Sequence, residues 1–190
     1  MGYHGWWMLG VVPDGAAAAV RWPGRPAGAA ASLAWWREHP GADRERLRVL
    51  FESWGHEEGE EEQLDETRWE LLRMLEGRPE QERWAFGVRK AFPFHALAFA
   101  LGPDGVERLP GWAGEFVWDA GQVRERLPEV EAVLGVTGAA REAAFGRAAE
   151  WLAGVGDGDG QVAELFEEPL RVLRAAARAG EGAMGVEMVF

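Results

Sequence analysis

The sequence predicts an α+β fold: one domain over residues 1–190, mostly helical, with a small sheet that includes the N- and C-terminal strands. Three observations carry this. Both chain ends, GYHGWWMLGVV and AMGVEMVF, are short apolar runs whose side chains divide at period two, as strands do. Most of the interior instead repeats apolar residues at three- and four-residue steps. The composition, 47% hydrophobic and 27% charged, is that of one globular domain, and no repeat or break in composition marks a second.

From Gly2 to Val12, Tyr3, Trp7, Leu9 and Val11 share one face and Trp6, Met8 and Val12 the other, which predicts a central strand apolar on both sides. Pro13-Asp14-Gly15 reads as the turn that ends it, Ala16–Trp22 fits helix or strand, and Pro23–Gly28 reads as a loop. Ala29–Glu38 is expected to be a helix with Leu33 and Trp36 inward. A second runs over Ala42–Trp54, where Leu47, Leu50, Phe51 and Trp54 fall at i, i+3, i+4 and i+7.

Gln63–Gly77 is the best-formed helical pattern. Thr67 with Glu70 has the spacing of a capping box, and Asp65 is a rival cap. Trp69, Leu72 and Leu75, widened by Leu71 and Met74, make the apolar stripe opposite Glu70, Arg73 and Glu76. Gly77 closes the helix and Pro79 stops it. The acidic run before it, HEEGEEEQLDE, reads as a solvated loop whose end suits the positive pole of that helix.

Glu80–Lys90 reads as a helix of unclear period through Trp84, Phe86 and Val88, and Ala91–Leu101 as a buried apolar run of either type. Gly102-Pro103-Asp104-Gly105 signals a turn, Glu115–Trp118 a short strand, and Ala120–Leu134 a helix through Val123, Leu127, Val130 and Leu134. Thr137 is placed to cap a helix reaching about Ala153, with Phe145, Ala148, Ala149 and Leu152 inward. Gly154–Gly160 reads as a connection. A last helix from about Gln161, interrupted or restarted at Pro169, has Phe166, Leu170, Leu173 and Ala177 as its stripe and Gly180 as its end. Ala183–Phe190 is the terminal strand.

Met1-Gly2 before an apolar strand, then Leu64, Asp65, Trp69, Leu72 and Gly77 on one helix, and Ala175–Phe190 as a small-residue helix, Gly turn and strand, resemble the YfbM-like family of bacterial domains of unknown function. Trp69 stands one residue later and Gly77 one residue nearer than the family pattern. Arg73 occupies the place of a mid-helix His, so no role of that His carries over. The resemblance implies no established activity.

Composition excludes several classes of function. Without cysteine there are no disulfides, thiol nucleophiles or Cys-ligated zinc. The net charge of -12 repels phosphate backbones, so nucleic-acid binding is not expected. No window has eighteen consecutive apolar residues and no basic, then apolar, leader opens the chain, so a cytoplasmic protein away from membranes is expected. Ser32 and Ser53 lie in no nucleophile elbow, and neither a phosphate loop nor a dinucleotide fingerprint is present, so no cofactor is expected. The rarity of Lys and the absence of Ile and Asn reflect GC-rich codons, and carry no functional meaning.

Asp157, Asp159 and Glu168 have the spacing of positions 1, 3 and 12 of a calcium loop, but Val162 stands where the sharp turn needs Gly, which favours a plain connector. His56 beside Glu57, Glu58 and Glu60 reads as a solvated acidic face before it reads as a metal site. Histidines such as His4 and His95 are more often packed in or near a core than catalytic, and His39 ends a helix.

The leading expectation is a non-catalytic protein-interaction module, inhibitor- or immunity-like, contacting a basic protein through Glu60, Glu61, Glu62 and exposed tryptophan. The alternative is a small-molecule binder or enzyme whose cleft is lined by residues such as Trp6, Trp7, Trp69, His4 and His95.

Overall fold

Strand β1 (His4–Val12) has apolar side chains on both faces, and it lies inside the sheet as that pattern requires. In the computed structural model, which describes residues 3–23, 25–26, 28–54, 58–156 and 161–190, with side chains omitted from 58 to 63, it pairs with β2 (Arg83–Arg89) and β4 (Gly182–Val189). Strand β3 (Phe116–Trp118) completes an antiparallel sheet of order β2-β1-β4-β3 among the described residues. Both terminal strands are therefore in one sheet, side by side.

The register sorts side chains into two layers. Trp7 lies opposite Phe86 and Glu187, and Leu9 opposite Trp84 and Gly185, so these residues share a face with Val11 and Phe116. That face carries the main core, built by α2 (Ala29–Glu38), α3 (Arg44–Glu52), α5 (Pro93–Glu107), α6 (Ala120–Leu134), α7 (Gly138–Gly154) and α8 (Val162–Ala179). The other face presents Val12, Met184, Val186 and Met188 to α1 (Asp14–Ala19) and α4 (Glu58–Met74) through Ala17, Leu71 and Leu75. Gly10 permits the close approach of α4: a Cβ there would stand 2.1 Å from Leu75 Cδ2.

Several elements differ from the sequence reading. Asp14 begins α1 where a turn was expected, and its carboxylate accepts from the Ala120 N–H at the start of α6. Helix α4 begins at Glu58, so the acidic run from there onward is its opening turns, where carboxylates suit the positive helix pole and Glu favours helix. Asp65 and Thr67 thus lie inside a helix they were expected to cap. The buried stripe of α4 is Leu64, Arg68, Leu71 and Leu75; Trp69, turned about 100° from Arg68, is on the flank and 45% exposed.

Residues 83–89 form β2 after a 3₁₀ turn (Glu80–Glu82), because Trp84, Phe86 and Val88 alternate at period two and bury together. Helix α5 continues through Gly102-Pro103 across a kink. Gly102 stands outside the helical region at φ 73° and ψ 177°: the following proline disfavours the helical conformation, and glycine admits the positive φ. Pro169 lies within a continuous α8, and Ala149 is exposed where an inward position was expected. Gly77 and Gly180 close α4 and α8 with φ of 78° and 68°, as read from the sequence. No helix among the described residues is long and apolar enough to cross a membrane.

Candidate ligand-binding site

A cavity of about 360 Å³ opens between α3, α4, the start of α5 and β4. Its aromatic lining comes from Phe51, Trp54, Trp69 and Phe92, and its polar lining includes Arg68, His95, Glu115 and Glu187. Arg68 and Glu115, 6% and 5% exposed, are buried to a degree that is rare for charged residues and requires partners, and His95 is 5% exposed beside them.

Those partners are present. Arg68 Nε donates to Glu115 Oε1 at 2.7 Å and Nη2 to Oε2 at 2.9 Å, the two-pronged geometry that only guanidinium offers a carboxylate. Its Nη1 donates to Asp65 Oδ1 at 2.7 Å, one turn back on α4. The Glu115 carboxylate also accepts from the Glu187 backbone N–H at 3.1 Å, which ties the pair to β4.

Glu115 owes its position to a strained turn. Trp112 and Glu115 bridge across Ala113 and Gly114, whose φ values of 51° and 83° are both positive, as the tightest hairpin turns demand. The Gly114 carbonyl accepts from Trp7 Nε1 at 2.9 Å, and a Cβ on Gly114 would stand 2.8 Å from that nitrogen and from the Phe94 ring. Trp112 Nε1 donates to the Trp54 carbonyl at 3.0 Å. The core indoles therefore pin the loop that carries the carboxylate.

Glu187 is the unusual group. It projects from β4 on the same face as Trp7 and Phe86, where an apolar side chain would ordinarily stand. Its Oε1 is enclosed and has no hydrogen-bond partner among the described residues. Burial holds its pKa well above the usual carboxylate value and the Glu115 charge adds to this; the Phe94 backbone N–H and Arg68 oppose both. The site thus pairs a carboxylate held by a guanidinium with a second carboxyl whose surroundings favour its protonated form. The Trp54 indole N–H is likewise buried without a partner among the described residues.

His95, on the first turns of α5, packs against Phe51, Phe92 and Trp151. Burial lowers its pKa to about 3, so the ring is neutral at physiological pH.

Of the residues singled out from sequence, the fold brings Trp69 and His95 to this cavity. Trp7 is core, edge-on to Trp84 and Phe94. Trp6 covers Gly87 on the opposite sheet face, and His4 is exposed at the start of β1, its backbone paired with Phe190. His39 Nδ1 donates to the Trp35 carbonyl at 2.8 Å at the end of α2. The side chains of Glu60, Glu61 and Glu62, and residues His56, Asp157 and Asp159, lie outside the described residues. Glu168 is within α8 and accepts from Arg171 Nε at 2.7 Å; among the described residues no acidic or His cluster has the makings of a metal site.

Arg68, Glu115, Glu187 and Trp54 were missed as site residues. Two had a legible signal. Arg68 falls four residues after Leu64 on a stripe otherwise apolar, and Glu187 interrupts an apolar terminal strand, so each is a charge where the local pattern calls for a hydrophobe. Comparisons of the chain with protein-family models, with curated proteins and with solved structures gave no match.

Proposed function

We propose that this protein binds a small organic molecule in the cavity lined by Trp54, Trp69 and His95, with Arg68, Glu115 and Glu187 as its polar groups. The observation that carries this reading is the convergence on one cavity of a buried, fully engaged ion pair and a second carboxyl with an enclosed oxygen that has no partner among the described residues. Well-packed hydrophobes generally stabilise a core as well as a buried ion pair does, so stability alone does not account for such a cluster. Perturbed carboxyls beside aromatic walls are instead usual where ligands are held and protons exchanged. The volume suits a compact ligand of one or two rings.

The test is a thermal-shift screen of small polar and aromatic compounds against the wild type and against Trp54→Leu and Trp69→Ala. Stabilising compounds whose effect disappears in both variants support the reading. Compounds that stabilise all three proteins equally, or an empty screen, count against it.

A second reading draws on a different feature. Trp69 and Phe190 meet edge to face at 6.1 Å and are 45% and 59% exposed, beside the exposed Val189, at one end of the acidic α4. An aromatic patch on a chain of net charge -12 suits a basic protein partner, in an inhibitor- or immunity-like role. A partner captured from lysate at low salt, and lost with Trp69→Glu, supports it; capture unaffected by salt and by that change removes it. A cytoplasmic setting, favoured by the absence of cysteine, and kinship with the YfbM-like family, whose pattern falls largely on α4, belong to the same proposal.

A further inference from the structure

Resting on the small-molecule reading, we infer that the ligand is a small organic cation, an ammonium on an aromatic or aliphatic body, whose charge is received by Glu187 and whose body lies against the indoles of Trp54 and Trp69. The lining charges point this way. Among the described residues four carboxyls, Glu52, Asp65, Glu115 and Glu187, line the cavity against one guanidinium, Arg68. Arg48 lies 3.4 Å from Glu52, and Arg68 divides its donors between Glu115 and Asp65. The lining guanidinium is thus committed to carboxylates already, and the excess charge is negative.

Chemistry favours a cation over a neutral polyol for two reasons. Among the described residues the enclosed Glu187 Oε1 has no donor, and an ammonium N–H supplies both a donor and a countercharge for this carboxyl. Aromatic faces attract cations through their quadrupole, most strongly where water is excluded, and indole is the best of the side chains for this. The long-range field of a chain with net charge -12 also draws cations towards it.

A consequence distinguishes this ligand from any other. Burial and the Glu115 charge favour the protonated form of Glu187, opposed by the Phe94 N–H and Arg68, while Asp65 and the neutral His95 line the same cavity. A bound ammonium favours the carboxylate, so binding releases that proton: protonated Glu187 plus free ammonium gives the carboxylate–ammonium complex plus one proton. Affinity then rises with pH, by at most about tenfold per unit for one proton released.

The test is calorimetric titration of the wild-type protein with benzylammonium, benzyl alcohol and benzoate at pH 5, 6, 7 and 8, in buffers of different ionisation enthalpy. Benzylammonium is expected to bind with a dissociation constant in the range of about 1 mM or below, at least about tenfold more tightly than its neutral and anionic counterparts. Its affinity should increase with pH and its apparent enthalpy should depend on the buffer. Glu187→Gln, a neutral isostere that leaves the packing in place, should weaken benzylammonium and remove both dependences. Equal or tighter binding of benzyl alcohol overturns the cation inference while leaving a ligand-binding cavity. A lack of benzylammonium binding overturns it as well. If the thermal-shift screen is also empty, the small-molecule reading falls with it; if the screen yields only neutral or anionic compounds, only the cation inference falls.

Discussion

Replacing Glu187 by Gln isolates the energetic consequence of placing a carboxyl on the core face of β4. In the unfolded chain this group ionises near its ordinary value of 4.5, whereas in the fold burial and Glu115 keep the proton on to well above that. Between the two values the native state holds a proton that the unfolded state has lost, so stability falls as pH rises. One proton's difference sets the steepest slope, about 1.4 kcal/mol per pH unit. Below the unfolded value both states are protonated and the contribution vanishes; above the folded value the full penalty is present and the slope returns to zero. The amide of Glu187→Gln keeps the shape and carries no titrating group. Urea unfolding of both proteins at pH 4, 5, 6, 7 and 8 should give a stability difference near its minimum at pH 4 that widens in favour of the variant as pH rises. The arms of the comparison share every other titrating residue, so their difference reads Glu187 and the groups coupled to it. A difference constant across this range would refute the raised pKa of Glu187.

Three further outcomes are expected. Arg68→Met leaves the Glu115 carboxylate buried without its countercharge and should destabilise by about 3–5 kcal/mol, and adding Glu115→Leu should recover most of the loss; a double-mutant cycle with no coupling would break the pair. His95, with its pKa lowered to about 3 against an ordinary 6.5, binds no proton in the fold where the unfolded chain does, so it lowers stability as pH falls from 6.5 towards 3. His95→Phe should therefore move the acid-unfolding midpoint, followed by circular dichroism, to lower pH; an unchanged midpoint would argue against a buried neutral ring. Ala113→Gly relieves a β-carbon at φ 51° and should stabilise by about 0.5–1 kcal/mol, measured by chemical denaturation, whereas a loss of stability would show that the turn does not strain this residue.

The sheet was largely legible. The central position of β1, the pairing of both ends into one sheet, and the limits of α2 and α6 follow from periodicity and punctuation, since those segments bury one coherent face or two. The misreadings have a common cause. Residues 83–89 alternate over only one strand length, too short for period two to outweigh the neighbouring helix formers, and it is pairing with β1 that makes them a strand. The acidic opening of α4 has no apolar stripe to announce a helix. Trp69 follows the spacing of the buried stripe, yet Arg68 takes the inward place, because Glu115 waits there to receive it.

Sequence alone settled the class, the small sheet with both chain ends in it, the acidic charge and the absence of thiol chemistry, because these depend on local periodicity and on composition. The site was decided only in three dimensions. Arg68, Glu115 and Glu187 are separated by 47 and 72 residues from helix to loop to strand, and no local pattern relates them. A buried charge is tolerable only when a distant partner arrives with it, so what sequence records as an isolated exception to a stripe becomes, once α4 lies across the sheet, one wall of a cavity.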